Sequence, residues 1–166
     1  VVERVGDVLW TRDIITRRRA SFAEQADLLD DVFARYRVLR CCMDQTGMGE
    51  KPVEDAQRAH GTNRVEGVVF NTSTKLSLAT IGKEAFEDKT IRIPKGDTAL
   101  RNDLHKLQKV TSPTGAPRFV AESDANGHAD RTWGCFLALN AAHGDIGEIR
   151  VTSRQPRAGR NLTNGY

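Results

Sequence analysis

One short stretch constrains this chain more than any other: Val38–Met43 is apolar except at Arg40 and ends at Asp44. A run of that length reads as a strand, because helices need roughly ten or more residues and an amphipathic period. A strand apolar along its whole length is expected where both faces of a sheet are covered. Helical patterns flank it. Upstream, Ser21 with Glu24 forms a capping box, and Phe22, Leu28, Leu29, Val32 and Phe33 give the following helix an apolar face up to about Tyr36. Downstream, Lys51–His60 reads as a helix stopped by Gly61.

The same alternation continues on both sides. Val1–Val5 and Val8–Thr16, joined at Gly6-Asp7, read as a β-hairpin, so the chain opens inside a strand, as a fragment of a longer protein would. Val65–Phe70 is the next strand. Thr72 or Ser73 is expected to cap a helix to about Asp88, with Leu76, Leu78, Ile81, Ala85 and Phe86 inward. Ile91–Pro94 is extended, Asp97 caps a helix through Leu100, Leu104 and Leu107, and Thr111–Ala121 turns at Pro113-Thr114-Gly115. A last helix carries Trp133, Phe136, Leu137, Leu139 and Ala141. Strand pair, helix, inner strand, helix, strand, helices: this order predicts an α/β fold, one mixed sheet flanked by helices on both faces.

Its 166 residues suit one domain over 1–143, followed by a mostly irregular tail, 144–166, with one strand expected at Ile149–Ser153. A hydrophobic fraction of 39% against 28% charged residues fits a globular protein, and no apolar run nears the roughly 18 residues that cross a bilayer. Cys41 and Cys42 are adjacent and Cys135 stands alone, which gives no disulfide framework and fits a reduced, cytoplasmic setting. The net charge of +3 decides little, but its distribution is uneven. Arg17, Arg18 and Arg19 are consecutive, and Arg150, Arg154, Arg157 and Arg160 follow Glu148 with no further acid. Such clusters can neutralise phosphates, and equally can be a solvated face and an irregular tail.

Two acids stand out by placement. Asp44 closes the inner strand, where the carboxyl ends of α/β strands line a functional crevice, and where an Asx-turn or helix cap would also use it. Asp130 opens the final helix, a position at which a carboxylate caps orphan N–H groups. Asp124 is read as a loop residue that could approach the same site. The loop Asp44-Gln-Thr-Gly-Met-Gly could cradle a phosphate, although it lacks the lysine of a Walker loop and the third glycine of a dinucleotide fingerprint. His60, His105, His128 and His143 have no metal-ligand spacing, and only His128 neighbours a candidate acid.

Five stretches, in order, resemble the C-terminal nuclease domain of the large terminase subunit of Mu-like prophages. They are Val5-Gly-Asp-Val-Leu-Trp-Thr-Arg-Asp13, Cys42-Met-Asp-Gln-Thr-Gly-Met-Gly49, Val65-Glu-Gly-Val-Val-Phe70, Phe86-Glu-Asp-Lys-Thr-Ile-Arg-Ile-Pro94 and His128-Ala-Asp-Arg-Thr-Trp133. The resemblance implies an RNase H-like fold and a two-metal site for Mg²⁺ or Mn²⁺. Asp44 and Asp130 would then be catalytic metal ligands and His128 an auxiliary one. It also implies cations for the DNA backbone, for which Arg131, Lys75, Arg17, Arg18 and Arg19 are the candidates. Phosphodiester hydrolysis needs an acidified water and a neutralised leaving oxygen, which paired hard cations supply.

The family's first strand, with its own Asp, is expected upstream of Val1, and Asp13 reads as a surface residue inside the hairpin rather than its substitute. The fragment alone is therefore expected to cleave weakly or not at all. Without that strand, either the hairpin closes against Val38–Met43, or a second copy or Ile149–Ser153 fills the gap. Implied partners are double-stranded DNA, the portal and other terminase subunits in the host cytoplasm, with no membrane. A non-catalytic module that binds DNA or the motor is the alternative, and an actin-like nucleotide-binding domain a third reading.

Overall fold

The computed structural model of the chain describes residues 1–111, 115, 117–121 and 129–143. It opens with the expected hairpin: β1 (Val2–Val5) pairs antiparallel with β2 (Val8–Thr11), Val2 opposite Thr11 and Val5 opposite Val8. Gly6 makes the turn at φ 61°, left-handed backbone that a residue without Cβ adopts freely. β2 stops at Thr11 rather than Thr16, because the amides of Arg12 and Asp13 both turn onto the Val1 carbonyl (2.9 and 3.5 Å). Asp13 thus lies beyond the strand, half-buried, and its carboxylate pairs with Arg35 at 2.9 Å.

Helix α1 (Phe22–Arg35) carries the capping box its sequence announces: Glu24 N–H donates to Ser21 Oγ (3.2 Å) while Ser21 N–H donates to Glu24 Oε2 (2.7 Å). It buries no residue fully and rests on α2 (Glu50–His60), where the Phe33 ring stacks on His60 at 3.8 Å. Between the two helices runs β3 (Cys41–Asp44), followed by a 3-10 turn at Gly47–Gly49. α2 returns the chain so that β4 (Val65–Val68) lies parallel to β3, with Cys41 opposite Val65 and Asp44 opposite Val68. A helical crossover of this kind is what a parallel pair requires.

The inner strand differs from its sequence reading. It starts at Cys41, Leu39 is 40% exposed, and Cys41, Cys42 and Met43 are only half-buried. Among the described residues β3 pairs on one edge alone, so its apolar run is not enclosed as a central parallel strand would be. β4 likewise ends at Val68, because Phe70 N–H turns to Thr46 Oγ1 (2.8 Å).

Asn71, rather than Thr72 or Ser73, caps α3 (Thr72–Glu87): its Oδ1 accepts from Thr74 N–H and its N–H donates to Thr74 Oγ1, both at 2.9 Å. That reciprocal pair satisfies two backbone or near-backbone donors at once, which a lone hydroxyl at 72 or 73 cannot do. β5 (Ile91–Arg92) lies parallel to β2 through Leu9 and Ile91. α4 (Thr98–Lys106) is capped by Asp97, as expected. The second hairpin begins earlier than its sequence suggests: β6 (Leu107–Thr111) follows α4 directly and pairs with β7 (Pro117–Ala121). The last helix, α5, spans Asp130–His143.

Parallel and antiparallel pairs both occur, so the α/β reading stands, but the single sheet does not. Hydrogen bonding divides the strands into β1-β2-β5, β3-β4 and β6-β7. The hairpin does not close against the inner strand: β1 and β3 share no ladder, and α5 packs over both. The core lies where α3 and α5 cover the first sheet, through Leu9, Leu78, Ala79, Ala85, Ile91, Phe136, Leu137 and Leu139. Gly82 makes that contact possible, since a Cβ there would sit 2.1 Å from the Phe136 ring. No described helix is long and apolar enough to cross a membrane. Asp124, His128, most of the 112–116 turn and the whole of 144–166, including Ile149–Ser153, lie outside the described residues.

Candidate functional site

The site begins at the carboxyl end of β3. Asp44 is exposed, and its Oδ1 accepts the N–H of Thr46 at 2.8 Å, an Asx-turn. The Asx-turn reading of this residue holds, and among the described residues Oδ2 has no hydrogen bond or ion pair. The turn locks the loop that follows. Gln45 N–H donates to Val68 O (2.9 Å) and Gly49 N–H to Thr46 O (3.1 Å). With these amides and that of Thr46 directed inward, the loop is not an open cradle of N–H groups for a phosphate.

Asp130 arrives from the other direction. α5 runs antiparallel to β3: near one end Arg40 Nη1 donates to Asn140 O (3.2 Å), and near the other the Trp133 ring meets Phe70 edge-on at 5.5 Å. Phe70 N–H donates to Thr46 Oγ1, so a continuous path runs from Asp44 through Thr46 and Phe70 to Trp133, one turn from Asp130. Asp130 is exposed, has no hydrogen bond or ion pair among the described residues, and lines a cleft of about 340 Å³ with Val1, Asp13, Arg17 and Cys135.

The candidate cations fare differently. Lys75 holds its ammonium 5.8 Å from the Phe70 ring centre and 5.7 Å from that of Trp133. Arg17 lines the Asp130 cleft, and Arg17, Arg18 and Arg19 together flank a shallow hollow bordered by Glu24 and Asp27. Arg131 turns toward α4, where it reaches Asp103 at 3.4 Å. Asp103 is itself a buried carboxylate, also bonded by Lys106 at 2.9 Å. Sequence reasoning missed it. The Asp103–Lys106 spacing was visible, but nothing local signals a partner on another helix. It missed Thr46, Phe70 and Trp133 as positioning residues for the same reason.

Thiolate chemistry is disfavoured at this site. Burial pushes the thiols of Cys41 and Cys135 up to about 11, and it also raises that of Cys42. The oxygen donors are the hard type that Mg²⁺ and Mn²⁺ take. Asp44 and Asp130 offer oxygen donors of that type, but no group of three or more His, Cys, Asp or Glu side chains able to hold a metal occurs among the described residues. A complete two-metal site therefore needs ligands beyond these two.

A family model described as the terminase RNase H-like domain matches residues 1–142. Among solved structures, the large terminase nuclease from thermophilic phage G20c resembles the chain in two forms, with bound magnesium (18% identity) and with bound cobalt (20% identity). Each superposes with a TM-score of 0.60 over 73% of this chain and 62% of the other, so the chain spans less than two thirds of their length. At such identities the likeness establishes the fold, which is RNase H-like. No curated protein sequence matches the chain.

Proposed function

Because the chain belongs to the terminase RNase H-like domain family, we propose that it is the metal-dependent endonuclease part of a phage DNA-packaging motor, hydrolysing phosphodiesters of double-stranded DNA. The observation that supports this reading is two exposed acids, Asp44 closing β3 and Asp130 opening α5, that have no ion pair among the described residues, with Thr46, Phe70 and Trp133 linking the elements that carry them. Ordinary surface acids gain nothing from such bracing. A carboxylate that must hold a cation in fixed geometry does.

In this reading Asp44 and Asp130 hold a divalent ion, Mg²⁺ or Mn²⁺, with His128 as a further ligand. Such an ion, when bound, acidifies an attacking water and neutralises the leaving oxygen. The chain's own residues do the rest. The Asx-turn leaves one oxygen of Asp44 available while fixing the other. Lys75, its cation over Phe70 and Trp133, meets a DNA phosphate, and Arg17, Arg18 and Arg19 extend that positive rim toward the duplex. Arg131 contributes less than its neighbours, being engaged by Asp103. Two carboxylates underfill a two-metal site, so cleavage by this chain is weak, and the portal and other motor subunits complete its setting in the host cytoplasm. The edges of β1 and β3 that are unpaired among the described residues offer a place for another strand, from a second copy or from elsewhere in the motor.

The test is calorimetric titration of the full chain with Mn²⁺. Asp44→Asn and Asp130→Asn should each weaken binding by at least about tenfold, whereas Asp13→Asn should not. Unchanged Mn²⁺ binding in both single variants would end the reading. The non-catalytic alternative predicts that outcome together with intact DNA binding.

A further inference from the structure

Asp103 carries a buried charge that the metal chemistry does not use. It is 3% exposed and lies on α4. Lys106 Nζ donates to its Oδ1 at 2.9 Å, and Arg131 Nη1 donates to its Oδ2 at 3.4 Å. Lys106 belongs to the same helix, whereas Arg131 belongs to α5 and stands next to Asp130. One oxygen thus ties the carboxylate to its own helix, and the other reaches across to the first turn of α5. As a source of stability this is a weak device, because taking charges out of water offsets much of their attraction. What it adds is direction. Apolar contact fixes only that two faces meet, whereas a guanidinium bonded to a carboxylate is held in a defined geometry.

The start of α5 needs such a hold. Ala129, 1% exposed, enters the helix at φ 61°, left-handed backbone in which a Cβ is strained. Strained backbone persists only where its surroundings over-determine it. Here the Ala129 carbonyl accepts from Trp133 N–H at 3.1 Å, Thr132 is fully buried, and Arg131 is tied to Asp103. Within 129–133 only Asp130 is exposed. Leu100, three residues before Asp103 on α4, lines the same cleft as Asp130 and Arg131. The helix that carries the buried carboxylate therefore forms part of the wall that Asp130 faces.

Given Asp130 as a metal ligand, the reading on which this rests, we propose that Asp103 is a positioning residue for the metal site. It holds Arg131, and through it the first turn of α5, so that the Asp130 carboxylate is directed into the cleft. Asp103 itself touches neither the ion nor DNA. Without the clamp the turn relaxes at Ala129 and Asp130 loses its fixed direction, while Phe136, Leu137 and Leu139 keep the rest of α5 in the core.

The experiment titrates the full chain with Mn²⁺ by calorimetry, under conditions where circular dichroism shows each variant folded. Asp103→Asn should weaken Mn²⁺ binding by about tenfold or more, the usual size of the loss when a ligand's support is removed. Arg131→Met should weaken it equally, and it leaves the Asp103–Lys106 bond in place, so it carries the test if Asp103→Asn does not fold. The double variant should bind no worse than either single one, because both break the same link. Asp103→Glu, which keeps the charge, should recover most of the affinity. A purely structural role predicts lower urea midpoints with unchanged Mn²⁺ affinity. That result, or additive losses in the double variant, would overturn the clamp and leave Asp130 as a ligand. If the parent does not bind Mn²⁺, or Asp130→Asn binds it as tightly as the parent, the ligand reading and the clamp fall together.

Discussion

Two glycines in helix interiors offer a matched experiment on how α5 is held. Replacing Gly by Ala inside a helix gains about 1 kcal/mol from propensity, wherever the new methyl has room. At Gly134, in α5, nothing lies within 4 Å of the added Cβ, so Gly134→Ala should stabilise by about 0.5–1 kcal/mol. At Gly82, in α3, the Cβ would lie 2.1, 2.3 and 2.6 Å from three atoms of the Phe136 ring. Contact between carbons is favourable only near 3.5–4.0 Å, so the ring or the helix must retreat by roughly 1.5 Å. Phe136 is 4% exposed and wedged edge-on against Trp133, which leaves it no easy exit. Overpacking of this kind costs about 1–3 kcal/mol, which cancels or exceeds the propensity gain. The two variants should therefore differ by about 1–3 kcal/mol, Gly82→Ala being the weaker. Urea unfolding followed by far-UV circular dichroism measures this directly. Since Trp133 leads on to Phe70 and the Asp44 loop, Gly82→Ala should also shift tryptophan emission. Equal stability of the two variants would refute the close approach of α3 and α5, and with it the support beneath the site.

Three further expectations follow from the same contacts. Asp103→Asn removes the buried counter-charge shared by Lys106 and Arg131, and should cost about 1–3 kcal/mol because both cations keep some access to water. That loss should persist in high salt, unlike the effect of breaking the exposed Lys83–Glu87 pair; denaturant midpoints at two ionic strengths decide it. At the start of α1, Ser21→Ala should cost about 1 kcal/mol, read by hydrogen exchange of the first turn. The N–H and hydroxyl of Ser21, in that order, hold the Glu24 carboxyl below its ordinary range. Its contribution is therefore present at neutral pH and lost as the pH falls through the depressed value, beneath the ordinary glutamate range, where the first turn should fray. Finally, burial raises all three thiols, so a thiol reagent at neutral pH should modify the native chain slowly and the urea-unfolded chain fast. Rapid labelling of Cys135 in the native chain would contradict the packing of α5 over β1 and β3.

What the sequence by itself determined is what neighbouring residues decide among themselves. The Ser21–Glu24 box, the Asp97 cap, the Gly61 stop and the Gly6 turn all rest on bonds or dihedrals within a few residues, and each is found in place. The position of Asp44 at a strand end was legible for the same reason, as was the alternation of strands and helices that marks an α/β fold. Even the local misses are near ones: Asn71 in place of Thr72 is a contest between adjacent caps, settled by the reciprocal bond to Thr74.

The tertiary structure alone decided which elements meet. Asp103 and Arg131 are 28 residues apart and Arg40 and Asn140 are 100 apart; neither pairing leaves a periodic trace in the chain. The same holds for Gly82 against Phe136, for Thr46 bonding Phe70, and for the division of one expected sheet into β1-β2-β5 and β3-β4. Hydrophobic burial is non-directional and fixes only that faces are covered. The shape of individual side chains then selects the partner and the direction of crossing. The antiparallel course of α5 over β3 is likewise set by Phe70, Trp133 and Asn140, distant in sequence from the strand they pack on.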